Sequence, residues 1–218
     1  MRDILRAVAL ATLMFGALAC DDPAKDKAKA TVSEAPPPAA TAAATGGTAT
    51  ATESLTIDAA ASKVEFVGSK VTGKHEGSFP TFSGKIDLAA AKPEASKITV
   101  NIDTTSVKTD NEKLTGHLKS PDFFDTEKFP KASFESTSIK PGGEKGATHT
   151  VTGTLDLHGA KKTITFPATV TVAADAVTAK SEFSINRKDF GINYAGKADD
   201  LIRDDVVIKL DIKAPRKK

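Results

Sequence analysis

TITFPATVTV, residues 163–172, alternates apolar and polar side chains almost without a break. Ile164, Phe166, Ala168, Val170 and Val172 fall on one face, and Thr163, Thr165, Pro167, Thr169 and Thr171 on the other. An extended chain points successive side chains to opposite sides, so a period of two marks a strand with one buried face. The same period continues on either side. VTGTLDL sets Val151, Gly153, Leu155 and Leu157 against Thr152, Thr154 and Asp156. VVIKLDIK sets Val206, Ile208, Leu210 and Ile212 against Val207, Lys209, Asp211 and Lys213. KITVNID repeats the pattern with Ile98, Val100 and Ile102, and AKSEFSIN with Ala179, Ser181, Phe183 and Ile185.

Strands buried on one face only belong to antiparallel sheets, whereas parallel strands read as continuous apolar runs. Turn-forming stretches separate them: KPGGEKG at 140–146, LHGAKK at 157–162 and AADA at 173–176. The fold class is therefore all-β, and periodicity leaves sandwich and closed barrel open.

The rest of the chain divides into unlike parts. Met1–Ala19 has Arg2 and Arg6, then an apolar run, then small residues, which is the order of an export signal peptide. Cys20, the only cysteine, follows at once. A lone cysteine in an exported chain has no internal disulfide partner. ALAC at 17–20 resembles a bacterial lipobox, in which Cys20 would be lipidated, and Ala17-Leu18-Ala19 also fits ordinary signal cleavage. Residues 21–53 are rich in Ala, Thr, Pro, Lys and Gly and nearly free of large apolar side chains. That composition predicts a disordered tether holding the domain on the order of 30 Å from its anchor. Residues 54–218 then form one domain. A net charge of +2 over 218 residues gives no reason to expect nucleic acid.

One region interrupts the strand pattern. In TDNEKLTGHLKSPDFFDTEKF, residues 109–129, Asp110 can cap a helix that puts Leu114 and Leu118 on one face. Ser120-Pro121 reads as the start of a second helix. Consecutive helical residues point about 100° apart, so one of Phe123 and Phe124 is expected to plug the interior and the other to pin the helix to the rim.

Four blocks carry a family resemblance: SKVEFVGSKVTGKHEGSFPTFSGKI at 62–86, DFFDTEKFPKASFEST at 122–137, TLDLHGAKKTITFPATV at 154–170 and INRKDFGI at 185–192. In this order they resemble the YceI-like polyisoprenoid-binding family. The resemblance implies an eight-stranded antiparallel lipocalin-like barrel with one or two short helices at one end. It further implies a long isoprenoid-type lipid, such as a polyprenyl phosphate or quinone, in an apolar tunnel. The chain departs from the family at Thr115 and Gly116, where members often carry Arg-Asp before the His-Leu of the helix.

Eleven Phe stand against one Tyr and no Trp. Phe66, Phe134, Phe166 and Phe183 lie on apolar faces, while Phe123, Phe124 and Phe190 lie near ends and turns. All seven are candidate ligand contacts. Arg187 stands out in a domain that otherwise favours lysine, since its planar fork suits bidentate recognition. It is either paired with Asp189 or another rim carboxylate, or an anchor for a phosphate or quinone oxygen at the tunnel mouth. His75, His117, His149 and His158 have no zinc-site spacing, so no metal is expected. No nucleophile elbow, phosphate loop or acid–base motif appears, so no catalytic residue is expected. The resulting expectation is a non-enzymatic periplasmic lipoprotein, alone or as a homodimer, anchored to a membrane of the bacterial envelope and carrying an isoprenoid lipid. The competing reading is an envelope interaction or stress-associated module with a solid core.

Overall fold

The computed structural model describes residues 22–36 and 52–216. The signal segment Met1–Ala19, Cys20 and residues 37–51 of the expected tether lie outside the described residues.

In chain order the strands begin with β1 (Ala28–Lys29), β2 (Thr31–Glu34), β3 (Thr52–Thr56), β4 (Lys63–Lys70) and β5 (Gly73–Ser78). There follow β6 (Phe82–Ala89), β7 (Lys92–Asp103), β8 (Lys108–Thr109) and the helix α1 (Glu112–Lys119). The second half holds β9 (Lys131–Pro141), β10 (His149–Leu157), β11 (Ala160–Val172) and β12 (Ala176–Asn186). After a 3-10 turn at Arg187–Phe190 come β13 (Gly196–Lys197), β14 (Asp200–Leu201) and β15 (Asp205–Pro215).

Thirteen strands form one sheet in the order β3-β6-β7-β9-β10-β11-β12-β15-β4-β5-β8, with β1 added to β12 and β2 to β11. Each neighbouring pair along that path is antiparallel. The sheet curls. Its path is open, from β3 to β8, and β6 and β5, each next to one end, are separated in the chain only by Phe79–Thr81, so the backbone itself links the two ends of the curl. The expected count of eight is exceeded because β5 and β6 split one passage of the barrel and four short strands are added to it. The inward faces are those the alternation marked. Val151, Ile164, Phe166, Ala168, Phe183 and Ile185 form one buried cluster, and Ile86, Val64, Val177 and Ile212 belong to the next.

The tether expectation needs correction over residues 22–36. β11 and β12 pair only from Thr169–Val172 to Val177–Lys180. Beyond that they part, and the segment 28–34 lies between them. Ala28 and Lys29 run parallel to Phe183 and Ser184, and Thr31–Glu34 run antiparallel to Lys162–Thr165. Ala30 N–H donates to Ser184 O at 2.8 Å. Ala28 and Ala30 are buried there. Large apolar side chains are not needed, because two parted strands offer unpaired backbone groups and only small residues fit between them. The barrel also begins earlier than residue 54, with β3 starting at Thr52.

The helical region differs from expectation at both ends. Asn111, not Asp110, caps α1, its Oδ1 accepting from Leu114 N–H at 3.1 Å, while Asp110 faces His75 at 2.9 Å. Ser120 ends α1 rather than starting a second helix: its N–H and hydroxyl both donate to His117 O. Residues 121–124 then form a turn, closed by Asp125 with φ 45°.

Candidate functional site

The curled sheet encloses a cavity of about 240 Å³ whose exposed wall surface is apolar, with Glu65, Ser181 and Arg187 the charged or hydroxyl-bearing residues around it. That volume lies just below the range of about 300–1,000 Å³ usual for small-ligand sites. The long strands supply its sides. Ile98, Val100 and Ile102 come from β7, Leu155 and Leu157 from β10, and Ile208, Leu210 and Ile212 from β15. Of the seven candidate phenylalanines, Phe66, Phe123, Phe124, Phe134, Phe166 and Phe183 line it, joined by Phe79 from the connection between β5 and β6.

Phe190 is a correction. It is fully buried in the cluster with Ala30 and Phe166 but is not part of the cavity wall. The 3-10 turn points its ring into the packing behind the wall, where Phe190 O faces His158 Nδ1 at 3.1 Å. His158 itself sits in the β10–β11 turn at φ 54°.

Phe123 and Phe124 close the helix-bearing end, and both face the cavity because the backbone there is a turn. Their rings fork. Phe123 meets His117 edge-on at 4.9 Å and Tyr194 at 5.3 Å. Phe124 meets Phe79 at 5.4 Å and Phe66 at 6.2 Å. Aromatic pairs at these separations are favourable beyond their buried area. His117 Nε2 also contacts Asp122 at 2.8 Å, tying the turn back to α1. Deeper in, Phe166 and Phe183 stack at 4.3 Å with 12° between their planes.

Where the family often carries a charged pair, Thr115 accepts from Thr109 N–H at 3.0 Å and meets its hydroxyl at 2.9 Å. That residue serves to hold α1 on β8, and Gly116 beside it has open space around it.

Arg187 is buried and shares the cavity wall, yet four of its five N–H donors are taken up by the protein. Nε donates to Arg203 O at 3.1 Å, Nη1 to Ile192 O at 2.7 Å, and Nη2 to Ile202 O and Asp204 Oδ1 at 3.4 and 3.2 Å. Burial pulls its pKa below the ordinary arginine value, and the Asp204 charge opposes that. The carboxylate partner is Asp204 rather than Asp189. The guanidinium locks the 192 and 202–204 segments to the end of β12.

Among the described residues, no group of three or more His, Cys, Asp or Glu could hold a metal ion. His75 and His117 each face one aspartate, and His149 lies 3.4 Å from Glu94.

A curled antiparallel sheet around an apolar, ring-lined interior places the protein in the lipocalin-like class of β-barrels. Residues 55–214 match the model of the YceI-like domain, and the chain belongs to that family. It is 36% identical over 139 residues to a UPF0312 protein of Pseudomonas putida strain W619, covering 61% of this chain and 71% of that protein. Among solved structures, BcnA of Burkholderia cenocepacia superposes with a TM-score of 0.65 at 28% identity, over 72% of this chain and 99% of BcnA. A polyisoprenoid binding domain from Saccharophagus degradans, implicated in plant cell wall breakdown, superposes at 0.59 with 21% identity, over 74% and 98% of the two chains.

Proposed function

We propose that this protein holds the apolar chain of an isoprenoid-type lipid inside its barrel, for carriage or sequestration, without catalysing a reaction on it. The observation that carries this reading is the interior itself: about 240 Å³ with an apolar wall, seven phenylalanines among its lining residues. A folded core normally fills its interior with side chains and leaves few voids larger than a water molecule. The binding named for the Saccharophagus degradans domain agrees with that chemistry. A long chain such as a polyprenyl phosphate or quinone exceeds the volume present, so binding must move wall side chains, and the forked Phe123–Phe124 turn is the part built from fewest ladder contacts.

The envelope setting belongs to the same proposal. Met1–Ala19 directs export and Cys20 takes a lipid anchor, which puts the barrel in the periplasm at a membrane surface. The anchor in this reading is Cys20, the lone cysteine that directly follows the apolar export segment.

The test is native mass spectrometry with lipid extraction of protein purified from its own membrane, followed by thermal melts of delipidated protein with C35–C55 isoprenoids. A ligand that binds only the folded state adds about 2.7 kcal/mol at one hundred times its Kd. The expected result is a co-purifying isoprenoid and a melting temperature that climbs with ligand excess. Melts indifferent to every isoprenoid offered would favour an interaction module instead.

A further inference from the structure

The barrel wall has a seam between β11 and β12, and the chain's own N-terminal segment fills it. From Ala160 to Ala168, β11 has no ladder to β12. Pro167, which has no N–H to give a ladder, sits two residues before pairing begins at Thr169. Ile164, Phe166 and Ala168 on one side of the seam, and Ser181, Phe183 and Ile185 on the other, all line the cavity. Between these two strands lies the segment 28–34. Its contribution to the packing behind the wall is Ala30, with Val32 beside it.

This segment is held more loosely than the ladders around it. It pairs at two positions with β12 and four with β11, whereas β12 and β15 pair along eleven. Its ion pairs lie at the surface: Lys27–Glu182 and Lys29–Asp205 at 2.9 Å, Asp22–Arg203 at 3.3 Å, and Glu34 with Lys162. Exposed pairs of this kind contribute little. Two of the residues the segment pairs with carry buried atoms that have no hydrogen-bond partner, Arg203 Nε and Asp205 Oδ1. Water would satisfy those atoms if the cover lifted, which lowers the cost of lifting it. The outward Val67 and Val207 are buried under Ala24 of the same segment. The segment lies wholly outside the matched family domain, residues 55–214.

We infer that residues 22–36 are a displaceable strand of the barrel wall, and that the slit between β11 and β12 beneath it is a lateral port through which an apolar chain reaches the cavity. The port half of this inference rests on the lipid-binding reading above. The displaceable strand does not.

Two measurements on the full-length Cys20→Ser chain separate the parts. Hydrogen exchange without ligand should find the amides of residues 29–34 opening at least tenfold more often than those of β10. Protection equal to that of β10 would overturn the displaceable strand. For the port, Ser33→Cys with Thr163→Cys joins two partners in register on the outer side of the seam. Opposite residues of an antiparallel pair have Cα atoms about 4.5–5.5 Å apart, within disulfide reach. All-trans-retinol, an isoprenoid whose fluorescence rises in apolar surroundings, is the probe. The oxidised, locked protein should load at least tenfold more slowly than the reduced protein, with reductant restoring the rate and the final occupancy unchanged. Equal loading rates would overturn the port while leaving lipid binding intact. Retinol taken up by neither form, in protein that also ignores C35–C55 isoprenoids, would bring down the lipid reading and the port together, and the exchange data would still decide the strand.

Discussion

Phe134 can lie flat across β10 because Gly153 beneath it has no side chain. A Cβ there would sit 2.5 Å from Glu135 O and would strike the Phe134 ring. Gly77 makes the same room for Phe66 across the β4–β5 ladder. Both rings line the cavity, so these glycines shape it as directly as the aromatics do. Gly153→Ala should cost about 1–3 kcal/mol, as overpacking does. Gly116→Ala, in open space on α1, should instead stabilise by up to about 1 kcal/mol through helix propensity. Denaturant melts of the two variants check the contrast. At the other end of the packing scale, Phe123→Ala removes a buried ring, and full enclosure would cost about 3–5 kcal/mol. If the ring closes over a lipid, the loss should be largest in the loaded protein. If it completes a solid core, the loss should be the same with and without isoprenoid.

Charge at the same end of the barrel gives a pH signature. Asp200 is held below the ordinary carboxylate value, first by its hydrogen bond with Lys70 and then by Thr72, whose Oγ1 donates at 2.9 Å and whose N–H donates at 3.2 Å, with desolvation opposing. A carboxyl whose folded pKa is depressed stabilises the fold at neutral pH and loses that contribution as pH falls through the ordinary range toward the folded value. Asp200→Asn should therefore lower the melting temperature near neutrality and flatten its decline below about pH 5. A decline of unchanged steepness would mean that other carboxylates set the acid limb.

Among the elements, α1 depends most on a single residue. It has eight residues, too few to persist alone, and its cap is the Asn111 side chain. Asn111→Ala should cost about 1 kcal/mol and loosen the helix-bearing end before the strands. Faster exchange of the α1 amides at unchanged β12–β15 protection is the expected reading. The long strands were legible in the sequence because a period of two needs nothing beyond the chain itself. Six of the seven cavity phenylalanines were named from that pattern and from the family blocks, and Phe79 was not. Other features were not legible, for physical reasons. Ser120-Pro121 fits a helix start, but a serine whose N–H and hydroxyl return to His117 O ends one instead, and only the three-dimensional path tells the two apart. Residues 28–34 carry no strand signal of their own, since their order comes from the parted edges of β11 and β12. Pro167 was the available clue: a proline inside an otherwise regular strand marks a place where one ladder is missing.

For the whole molecule, seating residues 22–36 on the wall changes where an anchor would lie. A tether of some 33 free residues would let the barrel hang about 30 Å from its lipid. Asp22, however, is held by Arg203 at 3.3 Å, next to Ile202, which packs with Leu118 and Phe123 in the helix-bearing end. Two residues of chain reach no more than about 7 Å. A lipid on Cys20 therefore brings the helix-bearing end against the membrane, with Phe123 and Phe124 near the source of an apolar ligand and the turn between β6 and β7 pointing away. In the lipidated protein reconstituted in vesicles, a fluorophore on Lys113→Cys of α1 should be strongly quenched by headgroup-level quenchers, and one on Lys92→Cys at the opposite end should not. Cys20→Ser should abolish both acyl labelling and that difference, because the barrel then leaves the vesicle. Equal quenching at the two labels in the lipidated protein would mean that residues 22–36 leave the wall at the membrane and act as a free tether after all.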